Sequence, residues 1–67
     1  MFTKVHIGDK ICLKEYGEDV IWEVYNILSD SKGNEKSLIL SRVNPPEIRN
    51  ILQMSFHELN SQFLKFS

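Results

Sequence analysis

Val20-Ile21-Trp22-Glu23-Val24-Tyr25-Asn26-Ile27-Leu28 holds the single tryptophan of the chain and a dense run of β-branched and aromatic residues. Such side chains pack well on a pleated surface. In a strand they alternate faces with a period of two, so Val20, Trp22 and Val24 share one face and Ile21, Glu23 and Tyr25 the other. The first set is uniformly apolar and belongs in a core. The parity then breaks, because Asn26 occupies the place of the next core residue and Ile27 follows one position later. A β-bulge near Tyr25-Asn26 returns Ile27 to the inside and bends the strand sharply. Strong bending is what a small, tightly curled barrel requires.

Working back from this run, Tyr16-Gly17-Glu18-Asp19 reads as a turn, with glycine free to take a positive φ. Val5, Ile7, Ile11 and Leu13 all have odd numbers, so a continuous strand puts all four on one face, with Gly8-Asp9 as a bend or bulge. Cys12 then points the other way, with Lys10 and Lys14. Working forward, Ser29 to Glu35 is a polar stretch rich in turn formers and reads as a hairpin connection. Ser37 to Val43 is the next strand, with Leu38 and Leu40 inward and Ile39 outward. Asn44-Pro45-Pro46 ends it, since consecutive prolines remove two ladder donors. Ile48 to Met54 follows as a strand, with Leu52 and Met54 inward and Ile51 outward.

Ser55-Phe56-His57-Glu58 fits a capping box and starts a helix. Two continuations are open. Phe56, Leu59, Phe63 and Phe66 fit the stripe of a terminal helix packed on an antiparallel sheet. Asn60-Ser61 are weak helix formers, however, and Gln62 to Phe66 alternates as a closing strand would. The expected fold class is therefore mostly β: a small five-stranded barrel with one short helical turn near the C-terminus, or else an antiparallel sheet carrying a C-terminal helix.

The chain has 67 residues, which is one domain near the lower limit of independent folding. Small domains usually carry a staple. Cys12 is the one cysteine, so no internal disulfide forms, and a lone thiol suits a reducing cytosol. His6, His57 and Cys12 are too scattered for a structural zinc site. Oligomerisation is the staple that remains. Eight basic and nine acidic residues give a net charge of −1, spread without blocks, which disfavours binding by non-specific phosphate contacts. No apolar run reaches membrane-spanning length, and Met1 to His6 has no signal-peptide character, so a soluble cytoplasmic chain is expected.

With these elements in order, the chain resembles the small Src-homology-3-like (SH3-like) barrels, a group that includes Tudor, KOW and short bacterial and phage modules. Ile7-Gly8-Asp9-Lys10-Ile11, Trp22-Glu23-Val24 with Ile27, then Leu38, Leu40 and Val43, and the capped turn Ser55 to Leu59 carry the likeness. The resemblance implies a five-stranded, strongly bent barrel with a helical turn before the last strand, acting by binding a peptide, a modified side chain or nucleic acid. It also suggests a small accessory or inhibitory protein of bacteria or their phages. Tudor domains that read methylated side chains use an aromatic cage. Here Tyr16, Trp22 and Tyr25 are the candidates for one, and Trp22 reads as core.

For function, the chain shows neither an activated nucleophile pattern nor a glycine-rich phosphate loop. A non-enzyme without cofactor, metal or small-molecule substrate is expected. Ile21, Tyr25, Ile39 and Ile51 have parity opposite to the core residues of their strands, where a one-sided sheet would place polar groups. An apolar patch of this kind marks an interface or a face covered from within the chain. The expected activity is contact with a protein partner, including a second copy, through these four residues, with Tyr16 and Pro45-Pro46 adding specificity. The alternative is a nucleic-acid-binding module in which Arg42, Arg49 and Lys36 form a local basic patch beside Tyr25.

Overall fold

The computed structural model describes residues 4–44 and 46–67, with the side chains of 46–50 outside that description. Five strands and one helix follow in the order β1 (Lys10–Leu13), β2 (Gly17–Ser29), β3 (Glu35–Asn44), β4 (Pro46–Ser55), α1 (Phe56–Gln62) and β5 (Phe63–Phe66). All pairings are antiparallel, and the strands form one sheet in the order β4-β3-β2-β1-β5, which is not closed into a barrel.

The parity of the second strand holds. Trp22 and Val24 are buried, Val20 is half-buried, and Tyr25 lies outside at 67% exposure. The register with β3 slips between Val24 and Asn26, where Val24 pairs Leu40 and Asn26 pairs Ile39. Tyr25 is thus the added residue of a bulge, and Ile27 packs against the core beyond it. Asn26 Oδ1 accepts the Ile27 N–H at 2.9 Å, which compensates locally for the broken ladder. The core gathers Val5, Ile11, Leu13, Trp22, Val24, Leu38, Leu40, Met54, Phe56 and Leu59. Leu38, Leu40 and Met54 face inward as their alternation predicts, with half-buried Leu52 against them.

The first strand departs from its expected form. Val5, Ile11 and Leu13 are buried, but Ile7 is 62% exposed. Residues before Lys10 do not continue the strand. Asp9 Oδ2 accepts the His6 N–H at 2.8 Å and the Asp9 N–H donates to the His6 carbonyl at 3.0 Å. This tight turn, with Gly8 at φ +98°, swings Ile7 out and returns the chain to β2. There the Gly8 N–H meets the Val24 carbonyl and the Val24 N–H meets the Asp9 carbonyl. The next turn also falls earlier than the residue types suggest: it spans Lys14 to Tyr16, and Gly17 at φ +84° already begins β2.

The C-terminal alternatives resolve as helix then strand. Ser55 is the N-cap and its Oγ accepts the Glu58 N–H at 3.0 Å. The helix lasts 7 residues, buries Phe56 and Leu59, and stops where Phe63 turns extended with its N–H on the Leu59 carbonyl. The aromatic stripe therefore does not continue through Phe63 and Phe66. Those residues lie in β5, which pairs with β1 through Ile11–Phe66, Cys12–Lys65 and Leu13–Phe63.

Trp22 carries one local penalty. Its Nε1–H is buried without an acceptor among the described residues, a cost of about 1–3 kcal/mol for such a donor. Leu40→Ala should destabilise the chain by about 2–5 kcal/mol. Trp22→Phe should cost clearly less than Leu40→Ala, because losing ring volume is offset by removal of the unsatisfied donor. Ser55→Ala should cost about 1 kcal/mol through loss of the cap. Chemical denaturation monitored by circular dichroism ranks the three.

Candidate functional site

The face of the sheet away from the core is laid out by the strand registers. One cross-strand row runs Lys10–Glu23–Ser41–Ile51, and the next runs Asn26–Ile39–Gln53. Tyr25, displaced by the bulge, stands beside Asn26 and Ile39. Ile39 and Ile51 are diagonal neighbours on β3 and β4, a relation that places residues about 7–8 Å apart. Tyr25, Ile39 and Ile51 therefore gather, with exposures of 67% for Tyr25 and 59% for Ile51 and a half-buried Ile39 between them.

Ile21 does not join them. It is half-buried, pairs with Asn44, and is separated from Tyr25 along its own strand by Glu23. The expected isoleucine patch is thus smaller and is interleaved with Ser41, Gln53 and Glu23. The helix does not cover it, because Phe56 and Leu59 belong to the core on the opposite side. Tyr16 lies elsewhere. Its ring packs edge-on against buried Trp22, with centroids 5.1 Å apart, and it remains 39% exposed. Tyr16 and Trp22 thus meet while Tyr25 stands on the outer face, and the three do not form the walls of one cage.

The basic residues are dispersed. Lys36 sits beside the β2–β3 hairpin, its Nζ 3.9 Å from Asp30 Oδ2. Arg42 pairs in register with Trp22 near the other end of β3, about 20 Å along the strand at roughly 3.3 Å per residue. Since Trp22 faces the core, Arg42 shares the core-side parity and not that of Tyr25. The side chain of Arg49 lies outside the described residues, as does all of Pro45. Among the described residues, no group of three or more histidines, cysteines and carboxylates could hold a metal ion. No helix among them is long and apolar enough to cross a membrane.

Two polar arrangements organise the rim. Asp30 closes the hairpin, its Oδ1 accepting the Lys32 and Asn34 N–H groups, each at 2.9 Å. The Asn34 N–H is the main reason its carboxyl is held below the usual 3.8; desolvation opposes it, and the Lys32 N–H and the Lys36 ammonium add to the lowering. On the β1–β5 side, Lys65 Nζ meets Glu18 Oε1 at 3.1 Å, a charge-assisted hydrogen bond that raises the lysine above 10.5. Beneath that edge Cys12 is buried, registered with Lys65, its thiol donating to the Glu18 carbonyl at 3.6 Å.

Several exposed apolar groups have no counterpart in the outward set expected above. Ile7, Leu64 at 38% and Phe66 at 50% are all exposed. Gln53, flanked by Ile39 on the next strand and by Ile51 two residues before it, belongs to the outer patch and was detectable by its odd-numbered parity on β4. Comparisons match the chain to no protein-family model, no curated protein and no solved structure.

Asp30 gives a pH dependence of fixed sign. Its folded-state pKa lies below its unfolded value, so its contribution is present above about pH 4 and is lost as pH falls through the folded pKa. Asp30→Ala should lower the melting temperature at neutral pH, and the gap to the unaltered chain should close on acidification through the folded-state pKa of Asp30. Thermal melts across that range check this.

Proposed function

We propose that the chain is a non-enzymatic binding module that acts through protein–protein contact, with a bent SH3-like architecture as its scaffold. The strand order β4-β3-β2-β1-β5, the bulged β2 and the helix placed just before β5 support that scaffold. The observation that carries the functional reading is the cluster of Tyr25, Ile39 and Ile51, outside the core and uncovered by any described element. Burying such side chains returns about 25 cal/mol per Å² of apolar surface, and a contiguous patch makes that return available to one partner. Ser41, Gln53 and Glu23 between them supply hydrogen-bonding groups at which a partner can be selected.

Light scattering at increasing concentration should give a mass above the 7.8 kDa of one chain. Ile39→Glu should lower that mass with an unchanged circular dichroism spectrum, and should reduce binding of an apolar-surface dye severalfold. A chain that stays at one-chain mass and binds the dye equally well with and without Ile39→Glu would overturn the reading. An electrophoretic shift of nucleic acid that weakens steeply with salt and disappears in Arg42→Ala would replace it with a nucleic-acid module.

A further inference from the structure

We infer that the free edge of β4, over Ile51–Ser55, is a self-pairing edge at which a second copy of the chain adds its own β4 antiparallel about a two-fold axis. The inference rests on the protein-contact reading for the kind of partner, but its contact is the backbone hydrogen bonding of the sheet edge, and it touches the outer face only at Ile51 and Gln53. An open antiparallel sheet has two terminal strands, here β4 and β5, each with a row of backbone groups that no described strand pairs. Unpaired edges recruit strands unless something blunts them, and short length, lysine, proline and bulges are the usual devices.

The two edges differ in this respect. β5 has 4 residues, carries Lys65, and slips register opposite Cys12 and Leu13. It is protected. β4 has proline at its far end, where its pairing with β3 is irregular between Ile51 and Pro46. From Ile51 to Ser55, however, it runs in unbroken register against Ser37 to Ser41. That segment reads Ile-Leu-Gln-Met-Ser, with no charge, no proline and no glycine. It is the regular, undefended stretch of edge.

Its sequence favours its own copy as the added strand. With the two-fold axis at Gln53, Gln53 faces Gln53 of the second copy, and a side-chain amide both donates and accepts, so two can pair. Leu52 then faces Met54 of the second copy, and Met54 faces its Leu52. Both lie on the core side of the strand, Met54 buried and Leu52 half-buried, so apolar side chains meet across the axis and the two cores adjoin. Ile51, 59% exposed in one chain, gains a strand beside it. No like charges are opposed. So short a seam falls in the small-interface class, which gives a weak, concentration-dependent dimer.

Gln53→Cys tests the register directly. Gln53 is exposed, and thiols introduced opposite one another across an antiparallel pair lie within disulfide reach. Incubation with glutathione disulfide should link most Gln53→Cys chains as dimers, while Asn60→Cys, on the exposed side of α1, should remain unlinked. The native Cys12 is 1% exposed and does not compete. Gln53→Lys, which opposes two ammonium groups at the axis, should weaken self-association at least tenfold by light scattering. Equal linking at Asn60 and Gln53, or self-association indifferent to Gln53→Lys, overturns the edge pairing. If Ile39→Glu abolishes association in that second case, the outer-face reading stands without it. If neither substitution affects association, both fail.

Discussion

Between Val24 and Asn26 the second strand carries one residue more than the strand it pairs with, and the Asn26 side chain secures the step by accepting the next backbone N–H. Without that residue, the alternation that buries Trp22 and Val24 would turn Ile27 to solvent. With it, both ends of a 13-residue strand feed the same core. A bulge also increases local twist. β2 pairs with β1 on one side and β3 on the other, and Trp22 and Val24 share one core with Ile11, Leu38, Leu40 and Leu59. The same step pushes Tyr25 outward at 67% exposure, so the device that completes the core also creates the most exposed aromatic of the outer face.

What could be read from the residues alone divides by range. The face of Trp22, the bulge, the inward Leu38 and Leu40 and the Ser55 cap each depend on neighbours within a few positions, and each was legible. Ile7 was not, because its outward turn is set by the Asp9 carboxylate closing on the His6 N–H, a local hydrogen bond that competes with strand periodicity. The alternation of Gln62 to Phe66 pointed to the closing strand that forms, while the aromatic stripe from Phe56 to Phe66 left a terminal helix as the alternative. β1 decided the matter by offering an edge to Phe63–Phe66, and nothing near those residues encodes that edge. The outer patch was legible by parity but not by register. Parity assigns Ile21, Tyr25, Ile39 and Ile51 to one face, whereas only the pairing shows Glu23 and Asn44 standing between Ile21 and the rest.

Charge follows the same logic. The balanced composition reflects charges distributed one by one along the rim: Lys36 toward Asp30, Lys65 toward Glu18, Lys4 toward Glu35. Exposed pairs of this kind contribute at most about 1 kcal/mol each. Their effect is on shape more than on stability. Asp30 fixes the hairpin through backbone N–H groups, and the Lys65–Glu18 pair lies over the edge beneath which Cys12 is buried. The sheet's two ends are thereby treated unequally, with charge collected at β5 and absent from the regular half of β4.

Ile51 links the outer face to that uncharged edge, because it is the β4 member of the Tyr25–Ile39–Ile51 cluster and also the first residue of the regular edge. A strand added at β4 would extend the sheet sideways without covering Ile39 or Tyr25, since backbone pairing works in the plane of the sheet and the cluster projects from it. Two-fold pairing would then bring two such clusters onto one continuous surface, related by the axis at Gln53. A partner with two matching contacts would bind the pair more tightly than a single chain, because its second contact becomes intramolecular. Edge and face are in this sense additive surfaces, and a 67-residue chain with one thin core has reason to use both.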